Sequence, residues 1–480
     1  MRRREFLERT AYAAGLAGMA MLPAGTLLSE AARAQGSVLP DPRNMELDHI
    51  VVVMMENRSF DHYFGWLDGA DGLQDQTFLD PGGNAVDTIH FRALPGEADH
   101  QGCGHPDPGH GWNSGRAQLQ DGFLADGSGN DIFALTYFDE GDLGFIHEAG
   151  KAYTVYDQFF CSALTSTWPN RYYGWSAQSG GRMGNDPPIE TLGNQWETIF
   201  DRAVAKGVGA RYYNSDLPFS AVWGVRGLTW TLPLPAYYLD CALGTLPAIS
   251  FVDPPFRDGG GFDGNSADEH PHGDVRLGQA WMADVVRAFV NSPSYRRGAL
   301  FVVYDEWGGF FDHVTPPSVP DNLQSPDLFQ DFGQMGFRIP SICVSPWTRN
   351  TGAAPRVDHG TYGFESILKL ISHRFGLGTL EFSPGVPNLR HQEARNIGLS
   401  FDWENPDFDA PDLPDPTHIV SKPCLLGGGN LLPEDAAAHE SDLADLAHLA
   451  EHLGFSVGDS RPHDLFTKPD SVRRALRASH

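Results

Sequence analysis

The chain has 480 residues and a formal net charge of −28 at pH 7, from 62 acidic against 34 basic side chains. That acidity excludes nucleic acid and anionic membrane surfaces as partners held by bulk electrostatics, so any grip on phosphate must come from a metal or a few fixed donors. Five scattered cysteines without C-x-x-C spacing exclude a zinc finger or a dithiol redox motif; an oxidising destination would permit up to two disulfides, with at least one thiol unpaired.

The first element is a leader. Arg3-Arg4-Glu5-Phe6-Leu7 is a twin-arginine pattern, followed by a weakly apolar stretch from Ala11 to Leu28 and by Ala32-Arg33-Ala34. This predicts an export signal over residues 1–34 and a periplasmic or secreted product of the twin-arginine machinery. Gly15, Gly18, Pro23 and Gly25 interrupt the apolar run, which argues against a membrane anchor and leaves no integral membrane segment once the leader is gone. Cleavage after Ala34 brings the net charge to about −30. The 54 glycines and 35 prolines call for large ordered loops, and such loops build or cover sites.

Ile50 to Met55 is an apolar run without a polar face, as expected for a buried parallel strand, and it runs directly into Glu56-Asn57-Arg58-Ser59-Phe60-Asp61-His62. Ligands of open α/β sheets bind at the carboxyl ends of strands, which places Glu56 and Asn57 at the mouth of a site. A Gly/Pro-rich loop then carries His100, His105 and His110. The segment Cys161 to Tyr172 sets Ser162, Thr165, Ser166 and Thr167 beside Arg171. A hydroxyl there can serve as a nucleophile and the guanidinium as a bidentate phosphate clamp, though spacing does not choose among the hydroxyls. His270 and His272 follow, then Leu277, Ala280, Trp281, Val285, Ala288 and Phe289 on one helical stripe. A second apolar run, Gly298 to Tyr304, meets Asp305-Glu306, and a third, Ile339 to Val344, meets Ser345-Pro346-Trp347. Phe364, Ile367, Leu368 and Ile371 mark another helix. Asp402 to Pro416 reads as an extended strap, and Pro433 to Leu453 as an acidic amphipathic helix with packing or surface duties.

Alternation of buried strands and amphipathic helices predicts an α/β fold with a largely parallel central sheet, helices on both faces and long loops at the site. The catalytic domain is expected over residues 45–400, with 401–480 as a C-terminal extension packed on it. Glu56, Asn57, Asp305 and Glu306 are hard oxygen donors that converge if both strand ends share one sheet. They suit one divalent metal ion, Ca²⁺, Mg²⁺ or Mn²⁺ rather than Zn²⁺. The loop histidines can protonate a leaving alkoxide. Trp112, Trp168, Tyr172, Tyr173, Trp175 and Trp307 either line an apolar pocket, cradle a quaternary amine or fill the core.

Four motifs occur in order: Glu56 to His62, Thr167-Trp168-Pro169-Asn170-Arg171, Asp305-Glu306 through Gly308-Gly309 to Asp312-His313-Val314, and Arg338-Ile339-Pro340 with Ser345-Pro346-Trp347. Together they resemble the phosphoesterase family of bacterial non-haemolytic and plant non-specific phospholipases C and related acid phosphatases. The resemblance implies an alkaline-phosphatase-like fold, Glu56, Asn57, Asp305 and Glu306 as metal ligands, and Thr167 as the nucleophile. It points to His110 and His270 as phosphate-binding or proton-donating groups, with His272 and His359 as weaker candidates. The implied activity is metal-dependent hydrolysis of a phosphodiester, that of a phospholipid, by a phospholipase C-type enzyme acting through a phosphothreonine. Alternatives are a phosphatase acting on monoesters and an inactive binding protein on the same fold. Several relatives carry a further histidine before the Ser366-Ile367-Leu368 helix, where this chain reads Tyr362-Gly363-Phe364.

Overall fold

How the apolar runs pair decides where the chemistry collects. The computed structural model describes residues 38–94, 100–188, 193–256, 266–419, 433–455 and 457; the expected leader lies outside them. Eight strands form the central sheet: β1 (His49–Met55), β2 (Thr154–Tyr156), β3 (Ala210–Asn214), β4 (Thr231–Pro233), β5 (Ile249–Asp253), β6 (Gly298–Tyr304), β7 (Ile342–Val344) and β8 (Arg356–Asp358). Their spatial order is β8-β2-β7-β6-β1-β5-β3-β4. β1 lies parallel between β6 and β5, and β3 and β4 continue parallel beyond β5. On the other side β7 is antiparallel to β6 and β2, and β8 is parallel to β2. Seven strands therefore share one direction and β7 opposes it.

Side chains leave a strand on alternate sides, so a strand buried at every position is covered on both faces. β6 is buried throughout and β1 from Ile50 to Met55, which bears out the reading of those two runs. Their register sets Met55 against Tyr304, so the polar continuations of both strands emerge side by side. The third apolar run does form a strand, but in the opposite direction. Ser345-Pro346-Trp347 consequently leaves the sheet at the far edge, where Ser345 Oγ donates to the carbonyl of Gly298, the first residue of β6. An apolar run reads the same in both directions, so the pattern could not signal the reversal.

The helices around the site are α1 (Phe60–Phe64), α2 (Trp112–Asp121), α3 (Thr167–Ser176), α4 (Val275–Val290), α5 (Phe364–Phe375) and α6 (Pro433–Leu453). Every residue of the stripe expected on α4 is buried, and Asp274 caps its start by accepting from the backbone N–H of Arg276. α5 buries its predicted stripe and stops at Gly376, whose φ of 63° is the left-handed cap conformation that glycine adopts without a steric penalty. Residues 402–419 run without regular structure across α4, where the Leu413 carbonyl accepts from Arg287 at 2.6 Å and His418 pairs with Asp284 at 2.8 Å. This is the expected strap. α6 buries Leu446, Leu449 and Ala450 and packs against the segment Phe219–Thr229. Cys161, Cys241 and Cys343 are free and buried, while Cys103 is disulfide-bonded. Among the described residues no helix is long and apolar enough to cross a membrane.

Candidate active site

Three neighbouring parallel strands deliver carboxylates to one edge of the sheet. β1 ends at Glu56-Asn57, β6 at Asp305-Glu306, and β5 at Asp253. Asn57 turns sharply, with φ of 61°, and its backbone N–H donates to Asp305 Oδ1 at 3.0 Å. The Glu306 N–H donates to the same oxygen at 2.7 Å, and Gly308 N–H to Glu306 Oε2 at 2.7 Å. Gly308 is required here: a Cβ would sit 2.1 Å from the Asn57 carbonyl oxygen, and its φ is +64°. Gly309 packs equally closely on Pro108 and Gly109, which seats the loop that carries His110.

Those bonds use one oxygen of each acid and leave the other. Asn57 Oδ1, Asp305 Oδ2 and Glu306 Oε1 are buried without a hydrogen-bond partner. Unpaired buried acceptors are costly, and these three are hard oxygens of the kind a divalent cation takes. Among the described residues, Glu56, Asp305 and Glu306 are not one of the sets of three whose ligand atoms all lie within 4.8 Å of one another. Burial raises the pKa of Glu56 and Glu306 well above the carboxylate range, with Asp305 adding repulsion in both cases. Asp305 is raised by burial and pulled back mainly by Arg171. Excess negative charge without enough cations is what a bound metal would relieve.

Arg171 supplies the protein's own positive charge. Buried under the site, it reaches Asp253 Oδ1 at 2.9 Å, Glu56 Oε1 at 3.1 Å and Asp305 Oδ2 at 3.8 Å. Two of its nitrogens are thus committed to carboxylates, which differs from the free phosphate fork expected from sequence. Its guanidinium also stacks over Phe256 at 4.6 Å. Asp253 was not singled out in the sequence because β5 is short and its apolar run is broken by Ser250. Asp268 is another acid found only in the structure: its Oδ1 accepts from Ser266 and from the His270 N–H, its Oδ2 has no hydrogen-bond partner, and burial lifts its pKa to about 7.

Thr167 is the first residue of α3, and its hydroxyl approaches Asp305 closely enough to help hold that carboxyl's pKa down. The adjacent N–H of Trp168 donates to Asn185 Oδ1 at 2.9 Å. Pro169 falls in the first turn, where a missing N–H costs no intrahelical bond. A helix start offers N–H groups and a positive dipole end to an anion, so the expected nucleophile sits where a phosphoryl group is best held. Of its neighbours, Thr165 is committed to the Met183 carbonyl at 2.5 Å.

One pocket joins these groups. It is lined by Glu56, Thr167, Trp168 and Arg171, by Asp107, His110 and His270, by Phe219 and Phe256, and by Asn185, Asp442, Leu443 and Leu446. His110 Nδ1 contacts the Pro108 carbonyl at 2.7 Å and Nε2 faces Asn57 Nδ2 at 3.3 Å. The first contact needs a proton on Nδ1, the second a lone pair on Nε2, so the ring is neutral, and burial lowers its pKa accordingly. Asp107, His110 and His270 bring one ligand atom each within 4.8 Å of one another, a second set of groups able to ligate a cation.

The other sequence candidates lie elsewhere. His272 is buried against the His105 carbonyl, and His359 is an exposed partner of Asp157. Neither lines the pocket. Trp168 does, whereas Tyr172, Tyr173, Trp175 and Trp307 are core. The aromatic lining comes instead from Phe219 and Phe256, which no motif marked. α6 packs as expected, and it also reaches the pocket, a role its sequence did not suggest.

The phosphoesterase family model matches residues 47–378, more than half of the chain. The chain is 30% identical over 470 residues to phospholipase C B of Mycobacterium tuberculosis, covering 83% of this chain and 84% of that protein. It is 27% identical to a non-hemolytic phospholipase C of Burkholderia pseudomallei, covering 86% and 67%, and 30% identical to non-specific phospholipase C6 of Arabidopsis thaliana, covering 74% and 72%. A solved structure of a protein in the alkaline phosphatase superfamily from Vibrio parahaemolyticus is similar at a TM-score of 0.34 and 9% identity, covering 75% of this chain and 72% of that one. A chain whose match to the family runs from the start of β1 past the end of α5 belongs to the phosphoesterase family.

Proposed function

We propose that this chain, a phosphoric ester hydrolase by family, cleaves a phosphodiester of the phospholipase C type through a covalent phosphothreonine at Thr167. The observation that carries the reading is Thr167 at the start of α3, inside a pocket that also holds Glu56, Arg171, His110 and His270. Its placement supports in-line attack of the hydroxyl oxygen on phosphorus, with the P–O bond to the alcohol breaking on the far side. His270, paired with Asp107, gives a proton to the departing alkoxide beside the neutral His110, and water then attacks the phosphothreonine, returning the Thr167 hydroxyl and releasing the phosphate product. The positive dipole end at the start of α3 stabilises the phosphoryl oxygens. Glu56, Asn57, Asp305 and Glu306 would hold a divalent cation, which would neutralise phosphoryl charge and ease loss of the Thr167 proton. Arg171 holds Glu56, Asp253 and Asp305 in place and opposes the upward shift that burial imposes on them. Export by the twin-arginine route to the periplasm or beyond completes the proposal.

The test is turnover of a chromogenic phosphate ester by the purified chain with added divalent metal, alongside Thr167→Ala. That substitution removes one hydroxyl and one methyl group from a pocket-lining position, so the melting temperature should hold within a few degrees while turnover falls at least about a thousandfold. Near-parental turnover in Thr167→Ala would remove Thr167 from the mechanism. The monoesterase alternative is separated by comparing p-nitrophenyl phosphate with a p-nitrophenyl diester.

A further inference from the structure

Helix α6 carries one feature that packing does not explain. Leu446, Leu449 and Ala450 are buried on its inward face, and Asp442 lies one turn before Leu446 on that same face. The other acids of the helix with described side chains, Asp445 and Glu451, are exposed. Asp442 is instead partly buried, lines the pocket, and has Leu443 and Leu446 as pocket-lining neighbours. An acid set into an apolar stripe costs stability unless it is held.

It is held by a residue tied to the nucleophile. Asn185 Nδ2 donates to Asp442 Oδ2 at 2.9 Å, and the Oδ1 of the same amide accepts from the N–H of Trp168, the residue after Thr167. Asn185 thus spans from the first turn of α3 to the carboxylate of α6. His110 lines the same pocket as a neutral ring, and burial pushes the Asp442 carboxyl up. No arginine or lysine is hydrogen-bonded or ion-paired to Asp442 among the described residues. The pocket therefore presents a carboxylate, fixed by Asn185, in the same cavity as Thr167, Arg171 and His270.

We infer that Asp442 is a specificity-determining residue that selects substrates by charge, disfavouring phosphate monoester dianions relative to phosphodiester monoanions. The inference rests on the phosphoesterase reading of the same pocket. A monoester carries close to one more negative charge than a diester at neutral pH, and that extra charge meets Asp442 across a partly desolvated pocket. Coulomb's law over such a distance gives roughly a threefold to tenfold effect on the relative rates.

The experiment compares kcat/KM for p-nitrophenyl phosphate and methyl p-nitrophenyl phosphate, which share a leaving group and differ in charge. Parent, Asp442→Asn, Asp442→Glu and Asp445→Asn are measured with the same added metal. Asp442→Asn keeps an acceptor for Asn185 and removes the charge, so the monoester-to-diester ratio should rise roughly threefold to tenfold. Asp442→Glu, which keeps the charge, and Asp445→Asn, which removes an exposed charge from the same helix, should leave the ratio within about twofold of the parent. A ratio unmoved by Asp442→Asn, or moved equally by Asp445→Asn, overturns the inference while the parent's activity keeps the proposed function standing. A parent that cleaves neither ester under any divalent metal removes the proposed function, and the inference with it.

Discussion

Asn57 shows how much a single residue is asked to do. It turns the chain at positive φ, donates its backbone N–H to Asp305, and leaves its amide oxygen unpartnered toward the cation site. Asparagine tolerates the left-handed region better than most residues, so the turn and the ligand are met by one side chain. Asn57→Gly keeps the turn and loses the oxygen. It should retain the parent's melting temperature within a few degrees yet bind Mn²⁺ or Ca²⁺ at least about tenfold more weakly by calorimetry; unchanged affinity would remove Asn57 from the ligand set. Gly308→Ala should fail differently, because its Cβ overlaps the Asn57 carbonyl, and both melting temperature and turnover should fall. The candidate ligands after β1 and β6 could be picked out in the sequence because each pair follows a long apolar run. Asp442 was not, since one acid among several on an acidic helix gives no sign of which face the tertiary structure will turn inward.

At the scale of elements, the motifs prove to be joined by a buried ion network. Arg338 donates to Asp61 Oδ1 at 2.9 Å and to Asp312 Oδ1 at 2.9 Å, with all three side chains buried, and His313 Nδ1 reaches Asp61 Oδ2 at 2.6 Å. The network ties α1, just after β1, to the loop after β6 and to the run before β7. It reinforces the bonds that hold Glu56-Asn57 against Asp305-Glu306 beyond the sheet, among them Arg58 N–H to the Glu306 carbonyl at 3.1 Å. Removing one partner of a buried pair strands the others, so Arg338→Met should destabilise the fold by about 3–5 kcal/mol, seen as a loss in denaturant midpoint. A midpoint unchanged from the parent would show the network to be dispensable. The sequence displayed these residues, but an Asp or Arg in a motif looks the same whether it meets substrate or another element. The strands themselves were readable from apolar runs; the direction of β7 was not, because direction is fixed by the connections and by neighbouring strands.

For the molecule as a whole, burial of histidines sets an acid limit. His147 and His391 are both pushed down to about 4 by burial, against an unfolded value near 6.5. The unfolded chain therefore binds more protons between those values, so the stability these groups contribute is complete above pH 6.5 and is lost as pH falls toward 4. The melting temperature should decline across that window, and His147→Gln with His391→Gln should flatten the decline; a parallel decline would assign the acid sensitivity to other groups. A divalent metal held as proposed would act on the whole fold too. Chelation should lower the melting temperature and re-addition of a divalent ion restore it, by an amount set by metal concentration over its dissociation constant. The α/β class and largely parallel sheet followed from the alternation of runs and stripes, whereas the way α6 comes to line the pocket is a long-range event that local pattern does not encode.

The residues before β1 are clasped by the last turn of α5: Arg374 bonds the Leu47 and Pro42 carbonyls and Asp48, and His373 contacts the Pro40 carbonyl. They enter at the edge of the sheet where the parallel strands begin, and the pocket lies where those strands end, about 23 Å away along seven residues of β1. Anything attached ahead of Pro40, whether an affinity tag, a fluorophore or the solid support of a sensor chip, is thus held on the rear of the molecule. A chain immobilised by that end presents its catalytic mouth outward to vesicles or micelles in the flow.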